Sequence, residues 1–163
     1  MKKELREEFW QALEKSPFIM IRLDSADGPE TTHAGPTHAE PMTAQLDKDA
    51  SHTIWFFASR ENRIAAGGRA MGQFSGKGHD VFACLAGTLV EETDPARIDS
   101  HWSKEVEAWF PDGRDDPNLM MLRFEINDAE VWTVEPGIFG TFKMLTGNAI
   151  RSNEMGKHAV GLV

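Results

Sequence analysis

The chain has 163 residues, a formal net charge of −9 and a single cysteine, Cys84. The length fits one domain, which at this size buries about 70% of the surface that the unfolded chain exposes and needs no cross-link. One cysteine excludes an internal disulfide and a zinc ribbon, and the acidic balance disfavours nonspecific binding to nucleic acid or to an anionic membrane surface.

The first part of the chain predicts a helix followed by strands. Apolar residues recur at spacings of three and four across residues 2–15, which is the period of an amphipathic helix. Ser16-Pro17 ends this helix, because the residue before a proline avoids helical backbone angles. A strand follows over residues 18–23. Residues 31–46 hold two further extended pieces, and the prolines that interrupt them favour edge strands.

The middle of the chain contains its strongest strand pattern. Residues 53–58 are apolar and largely aromatic, which is typical of a buried strand. Ser59 is a candidate N-cap for a short helix over residues 60–70. Residues 71–76 predict a further strand, and Gly76-Lys77-Gly78 is too short for a phosphate-binding loop and predicts a hairpin turn.

Three more elements complete the pattern. They are a long strand over residues 79–92 that bends or bulges near Gly87, a helix from Asp94-Pro95 to about Phe110, and a hairpin of residues 120–126 and 130–135 that turns at Asn127-Asp128.

Six or seven strands of uneven length with Gly/Pro turns and without regular strand–helix alternation predict a mainly β domain with short helices. This pattern favours an antiparallel barrel over a doubly wound sheet. We assign residues 1–136 to the barrel domain. Residues 137–163 form a Gly-rich extension that packs on this domain or trails from it.

The sequence does not indicate a targeting segment. The longest apolar runs, such as Ile54 to Ala58, are far shorter than the roughly 20 residues of a membrane-spanning helix. The N-terminus carries positive charge without a following apolar stretch, which is not the pattern of a secretory signal. We therefore expect a cytoplasmic protein without a membrane or nucleic-acid partner.

The common catalytic signatures are missing from the sequence. It contains no Gly-x-Ser-x-Gly, no Walker loop and no Gly-x-Gly-x-x-Gly. None of the six histidines pairs with another at the helical spacing of metal ligands, and His33 and His38 are expected on opposite faces of an extended segment. We predict no metal site, and a role for one histidine in holding haem stays open.

A candidate anion site follows the central strand. A strand that ends in Ser59 and continues into a helix leaves free N–H groups at the helix N-terminus. With Arg60 or Arg63, these groups form a site suited to a phosphate. Beside it, the extended backbone at residues 42–43 and 56–58 can bond the polar edge of a flat ring. The alternative, two neighbouring strands and a helix without a ligand, stays open.

Three features in this order resemble a known family. They are Pro41-Met42-Thr43 ahead of a Trp-Phe-Phe strand that is followed by a serine and a basic residue, His101-Trp102 with Trp109-Phe110-Pro111-Asp112-Gly113, and Glu130-Val131-Trp132. Over residues 3–136 the chain resembles the pyridoxamine 5′-phosphate oxidase-like split barrels, and more closely their bacterial general stress protein branch.

The resemblance implies a homodimer with FMN in a crevice at the subunit interface. It places Met42 and Thr43 against the isoalloxazine through their backbone, Phe57, Ala58 and Ser59 along the same ring edge, Asn62 and Arg63 at the phosphate, and Trp132 of the partner subunit close to the flavin. Trp102 is expected to pack near the mouth of the pocket.

One residue departs from the family pattern. The family usually carries an arginine before Pro-Met that helps to bind the FMN phosphate, and this chain has Glu40. A carboxylate about 4 Å from a phosphate charge costs about 1 kcal/mol in water-like surroundings and about 4 kcal/mol at an effective dielectric near 20. Glu40 either turns to solvent or pairs with Arg60 or Arg63, where it competes with the phosphate. We expect FMN binding that is weak.

The resemblance supports three functional hypotheses. The leading one is an FMN-dependent oxidoreductase with a small-molecule substrate, for which no side chain stands out as catalytic acid or base. The second is a flavin-binding stress protein without turnover. The third is a dimeric binding module for another planar ligand such as haem. The chain lacks the Arg/His set expected for oxidising pyridoxamine phosphate, so we do not expect a true pyridoxamine 5′-phosphate oxidase.

Overall fold

The computed structural model describes residues 1–24, 38–134 and 156–163, and all statements on the fold refer to these residues. Its elements in chain order are α1 (Lys3–Lys15), β1 (Phe18–Leu23), β2 (Glu40–Thr43), β3 (Thr53–Ser59), β4 (Gly68–Ser75), β5 (Val81–Glu92), α2 (Pro95–Ser100), α3 (Lys104–Glu107), β6 (Leu119–Thr133) and β7 (His158–Val160). No helix in the described ranges is long and apolar enough to cross a membrane.

The seven described strands form one antiparallel sheet. The strand order is β2-β1-β4-β5-β6-β3, and β7 also pairs with β6. The long strand β6 pairs with β3 through its first half and with β7 through residues 130–132. The two ends of this order meet where Gln45, just after β2, and Trp55 of β3 donate backbone hydrogen bonds to each other's carbonyls, at 2.8 and 3.0 Å. The sheet therefore closes into a barrel, and the predicted mainly β fold is confirmed.

The barrel interior is filled by apolar side chains from the strands and from α1. The fully buried strand residues include Ile19, Ile21, Ile54, Phe56, Leu85, Leu122 and Phe124. The predicted N-terminal helix is confirmed, and Leu5, Phe9 and Leu13 on its apolar face are buried in the same core. Phe9 meets Phe74 of β4 edge-to-face, with 5.8 Å between ring centroids. Helix α1 is thereby fixed to the barrel.

The predicted helix over residues 60–70 is wrong. The chain forms consecutive turns there, and β4 already begins at Gly68. The Ser59 hydroxyl accepts a hydrogen bond from the N–H of Glu61 at 3.2 Å, and the Asn62 side chain accepts one from the N–H of Ile64 at 3.0 Å. Such local bonds stabilise turns in competition with a helix. Gly67 and Gly68 then take positive φ values of 67° and 101°, which no helix continues through.

The predicted hairpin at Asn127-Asp128 is also wrong, because β6 runs without a break from Leu119 to Thr133. The register of β5 and β6 pairs Ala86 with Asp128 and Gly87 with Ile126, which leaves Asn127 as an extra residue. The predicted bulge near Gly87 is therefore confirmed. Asn-Asp satisfies a turn or a bulge equally well, and the long pairing with β5 decides between them.

The predicted helix from Asp94 to Phe110 is two helices. Asp94 caps α2 as predicted, since its side chain accepts from the N–H of Ala96 at 3.0 Å. The helix ends at Ser100, and the Ser103 hydroxyl accepts from the N–H of Val106 at 3.3 Å and caps α3. A second N-cap signal inside the periodic segment explains the break.

The end of the C-terminal extension lies on the barrel. Strand β7 pairs with β6, the N–H of Gly161 donates to the carbonyl of Ala129 at 2.9 Å, and Val163 is fully buried. The rest of the extension and of the predicted hairpin, residues 135–155, and the extended piece predicted before residue 38, which includes His33, lie outside the described residues.

We expect Gly87→Ala to lower the free energy of unfolding by about 3 kcal/mol or more, at the upper end of overpacking costs. A methyl group on Gly87 would lie 2.1 Å from the carbonyl oxygen of Glu125, a backbone atom that cannot move without breaking the ladder. Urea unfolding measures the loss. Gly72→Ala is the control, since its nearest atom is a side-chain methyl of Ile19 at 3.3 Å. Equal losses in both variants would contradict the role of the bulge.

Candidate functional site

A gap opens in the barrel wall beyond the Gln45–Trp55 pair. If β2 and β3 continued in the same register, Thr43 would pair with Phe57 and Pro41 with Ser59. The strand pairing of the described residues includes neither pair, so the hydrogen-bonded pairing between these segments stops at the single bridge, although the two strands remain close to each other. We call the space between Glu40–Thr43 and Phe56–Ser59 the slit.

On the β2 side of the slit, the backbone of Thr43 is the one that faces the gap. Successive residues of a strand direct their N–H and C=O groups to opposite neighbours. Ala44 donates to the carbonyl of Pro17 on the β1 side at 2.7 Å, and Gln45 donates toward β3. Met42 therefore bonds to β1, while the N–H and C=O of Thr43 point into the slit.

On the β3 side, the same alternation selects Phe57 and Ser59. Arg60 donates to the carbonyl of Asn118, which continues the ladder to β6, at 2.8 Å, so the backbone of Ala58 also bonds to β6. The N–H and C=O of Phe57 and the N–H of Ser59 face the slit. The C=O of Ser59 accepts from the N–H of Asn62 at 2.9 Å. Donors and acceptors thus line both sides of the gap.

The side chains along the slit divide by the same alternation. Met42 and Ala58 point into the core, with 6% and 4% of their surfaces exposed. Thr43 is exposed, and Phe57 is half-buried against the edge of Trp102, with 5.7 Å between ring centroids. Of the residues predicted for the ring edge, the structure brings Thr43, Phe57 and Ser59 to the slit, whereas Met42 and Ala58 lie beside it and face inward.

The other end of the slit carries the predicted phosphate residues. The guanidinium of Arg63 forms an ion pair with Glu40 across the open end. Of the alternatives left open by the sequence for Glu40, solvent or a pair with Arg60 or Arg63, the structure shows the pair with Arg63. Arg60 pairs with Glu91 at 2.7 Å. Asn62 uses its side-chain oxygen within its own turn. Each arginine at this end thus has a carboxylate partner, and turns replace the predicted helix N-terminus.

Trp132 is separated from the β2 side of the slit by strands β1, β4 and β5. The cross-strand partners Pro41, Met20, Gln73, Cys84 and Glu130 place Glu130, two residues before Trp132, four strand spacings from the slit edge, about 19 Å. The Trp132 ring stacks on His158 of β7 with 5.4 Å between centroids and an angle of 12°. The His158 ring nitrogen Nε2 lies 2.6 Å from the Glu130 carboxylate. Sequence reasoning missed this stack, because it depends on the pairing of β7.

Apolar side chains cover the outside of the strands next to the slit. Phe18 and Met20 are 62% and 43% exposed, which is unusual for such residues in a strand. They pair across strands with Thr43 and Pro41, the outward residues of β2. We call this surface the outer apolar face and define it by Phe18, Met20, Pro41, Met71, Phe82 and Trp132. Gln73, the partner of Met20, and Ser75, the partner of Phe82, lie among these residues, so polar side chains interrupt this surface. Large apolar side chains exposed on a sheet are typical of an interaction site.

A buried polar cluster outside the barrel holds Trp55. The indole Nε1 donates to the carboxylate of Glu92 at 3.1 Å, and Glu92 also accepts from Arg123 at 3.1 Å and from the N–H of Asp94 at 3.2 Å. Burial alone would raise the pKa of Glu92, but these three hydrogen bonds bring the pKa below its ordinary value. Glu92 was not predicted from the sequence, where its only feature is that it is an acidic residue at the end of a strand.

Two further side chains cover the indole of Trp55. The guanidinium of Arg97 lies 4.7 Å from the ring centroid and pairs with Asp47, and the imidazole of His101 stacks on the ring at 5.6 Å. Within the described residues, the buried Nε2 of His101 has no hydrogen-bond partner. Burial and the charge of Arg97 lower the pKa of His101, against an opposite effect of Asp47. The cluster therefore contains a neutral histidine beside a fixed cation.

Comparison with known proteins identifies the family. The sequence profile of the family described as pyridoxamine 5′-phosphate oxidase like matches residues 4–155. The chain belongs to this family. Among solved structures, the general stress FMN/FAD-binding protein of Xanthomonas citri is 42% identical, with 84% of this chain and 94% of that chain covered and a TM-score of 0.72. No curated protein matches the sequence.

Two more distant structures share the fold of this pyridoxamine 5′-phosphate oxidase-like chain. A candidate general stress protein 26 of Jannaschia sp. CCS1 is 28% identical over 98% of both chains, with a TM-score of 0.75. A protein of Clostridium acetobutylicum related to general stress protein 26 is 17% identical over 82% of this chain and 91% of that chain, with a TM-score of 0.64. The predicted resemblance to the family and its general stress branch is confirmed.

The donor set of the slit decides which ligands fit. Backbone N–H and C=O groups on both sides suit a flat ring with alternating donors and acceptors. In the described part of the chain, no three His, Cys, Asp or Glu side chains are arranged to hold a metal ion. Thr43, Phe57 and Ser59, whose backbone groups face the slit, carry no acidic or basic side chain that could exchange a proton with a bound ring.

We expect the protein to lose stability as the pH falls below about 6.5, the ordinary pKa of histidine, through His101. Because its pKa is lower in the folded state, the unfolded state binds more protons in this range and is favoured. His101→Gln should flatten the decrease in urea midpoint between pH 7.5 and 5.5. His38→Gln, at an exposed position, is the control. An unchanged pH dependence in His101→Gln would exclude the cluster as its source.

Proposed function

We propose that the protein binds a flavin nucleotide in the slit, FMN in the first place, and serves flavin-dependent redox chemistry on a small molecule as a homodimer. The observation that carries this proposal is that no partner among the described residues bonds the slit-facing backbone groups of Thr43 and Phe57 and the N–H of Ser59. In a closed barrel these groups would bond to each other. An unpaired strand edge offers its backbone donors and acceptors to a ligand, so a gap of this kind favours a ligand that bonds to both edges.

A flavin ring has the chemistry that these edges require. Its pyrimidine edge alternates N–H and carbonyl groups, which complement the C=O and N–H groups facing the slit. Phe57 and Trp102 supply an aromatic surface beside it. The relative from Xanthomonas citri, 42% identical, is named as an FMN/FAD-binding general stress protein, which supports both the flavin and a stress-related role.

The chain would contribute binding and orientation to such chemistry. When bound, a flavin supplies hydride or electron transfer, and the protein provides position and a dry environment. Thr43, Phe57 and Ser59 would fix the ring plane through the backbone. Arg60, Asn62 and Arg63 would receive the phosphate at the other end of the slit, where their side chains now bond to Glu91, to the N–H of Ile64 and to Glu40, respectively.

The outer apolar face supports the homodimer. A second copy on this face would remove Phe18 and Met20 from water, and about 25 cal/mol is gained per Å² of apolar surface buried. It would also bring Trp132 of the partner subunit toward the slit, from whose β2 side Trp132 of the same chain is separated by β1, β4 and β5. Pro41 and Thr43 belong both to this face and to the slit edge, so a partner placed there would border the ligand.

Flavin binding without turnover is the second candidate. It is favoured by the absence of acidic or basic side chains at the described residues whose backbone groups face the slit. Anaerobic addition of nicotinamide cofactors and a panel of small electron donors separates the two. Loss of the visible flavin absorbance supports an oxidoreductase, and an unchanged spectrum with every donor supports storage or sensing.

We expect Thr43→Pro to weaken flavin binding about tenfold, the value of one backbone hydrogen bond. Proline removes the N–H that faces the slit and takes no donor from the β1 ladder, because Thr43 does not bond to β1. Titration with FMN, followed by flavin fluorescence, measures the change. Thr43→Val retains the N–H and is the matched control, with thermal unfolding to compare the folds. If both variants bind FMN equally, Thr43 does not contact the ring through its backbone.

We expect Met20→Glu to convert a dimer into monomers and to weaken FMN binding at the same time. A carboxylate placed in an apolar interface must be desolvated without a partner, and Met20 lies in the centre of the outer apolar face. Sedimentation velocity measures the oligomeric state. Val90→Glu, a 37% exposed position at the other end of β5 from Phe82, should leave the dimer intact. A wild-type monomer, or a Met20→Glu dimer, would argue against this interface.

A further inference from the structure

At the phosphate end of the slit, the end with Arg60 and Arg63, the positive and negative side-chain charges cancel. Arg60 and Arg63 supply two positive charges, and Glu91 and Glu40 place one negative charge on each of them. Carboxylate and phosphate oxygens bind the same guanidinium donors. A phosphate that enters this end must therefore displace a carboxylate or share an arginine with it.

The two carboxylates differ in how closely they are tied to the slit. Glu91 lies on β5, and its side chain is 42% exposed, so it can turn to water at little cost. Glu40 lies on β2 at the edge of the slit itself, and its side chain is 25% exposed. Its ion pair with Arg63 crosses the open end of the slit. Glu40 is therefore the carboxylate that stays close to a phosphate bound there.

We propose that Glu40 is a selectivity residue that discriminates between flavins by the charge of the phosphate next to the ribityl chain. Glu40 weakens the binding of FMN most, because the phosphate monoester of FMN is doubly charged. It weakens the binding of FAD less, because the phosphate next to the ribityl chain of FAD carries one charge, and it does not affect the binding of riboflavin. This inference rests on the proposed binding of a flavin in the slit.

The order follows from Coulomb's law, since the repulsion from one carboxylate is proportional to the charge that it faces. A phosphate monoester carries about −1.5 to −2 at pH 7 because its second pKa is near 6. Each phosphate of a diphosphate diester carries one charge, and riboflavin carries none. A steric or structural role of Glu40 would instead change the binding of the three ligands by the same factor, since all three share the ring and the ribityl chain.

The test is titration of the full chain and of Glu40→Gln with riboflavin, FAD and FMN at one ionic strength. We expect the variant to bind FMN at least tenfold more tightly than the unchanged chain, FAD a few-fold more tightly and riboflavin equally. Glu40→Ala should give the same order, which separates the loss of charge from any effect of glutamine. Near pH 5, where the monoester has lost its second charge, the gain for FMN should fall to that for FAD.

Glu14→Gln is the matched control. It removes a carboxylate from another exposed ion pair, with Lys48 at 4.0 Å, near the closed end of the slit, and should not alter the order of the three flavins. Equal gains for the three ligands, or no gain for FMN, would overturn the selectivity role while leaving the flavin site in place. Absence of binding of all three ligands to all variants would instead reject the proposed function.

Discussion

The backbone pair of Gln45 and Trp55 closes the described strands into a barrel. It joins the two ends of the strand order and turns an open sheet into a barrel. It also fixes where the slit begins, because pairing stops after this one bridge. Pro41 contributes to the stop: it lies at a slit-facing position and has no N–H to donate toward Ser59. The Trp55 indole is fixed from outside by Glu92, Arg97 and His101, so the buried cluster stabilises the closure.

In the proposed flavin site, the two ends of the slit differ in the kind of group that would recognise the ligand. The ring end would use backbone N–H and C=O groups, whose positions are set by strand register and which side-chain substitutions other than proline leave in place. The phosphate end would use the side chains of Glu40, Arg60 and Arg63, which substitutions change easily. One barrel can therefore keep its affinity for a flat ring while single substitutions alter its preference for the charged tail.

The sequence predicts the elements that have a clear apolar period. It does not decide between a helix, a turn and a bulge where only local residue preferences are available. Helix α1 and strand β3 follow from clear apolar patterns. The helix predicted after Ser59 fails because Ser59 and Asn62 bond to the backbone two residues on, and Asn127-Asp128 is a bulge because the pairing with β5 overrides the local turn signal. For the slit, the sequence predicts the two segments that border it but not which of their residues face the gap. Which residue of Met42 and Thr43 faces the gap depends on register, and the Trp55 cluster depends on contacts between distant segments.

In the proposed dimer, ligand binding and association are coupled through β2. Pro41 and Thr43 belong both to the outer apolar face and to the slit edge, so a second copy on that face would also exclude water from the slit. Hydrogen bonds to a ring gain strength when water is excluded. Linkage requires the reverse effect as well, so a bound ring that orders the slit edge stabilises the interface by the same free energy. If Glu40 weakens the phosphate contact as proposed, association would offset this loss, and the affinity for a flavin would depend on protein concentration.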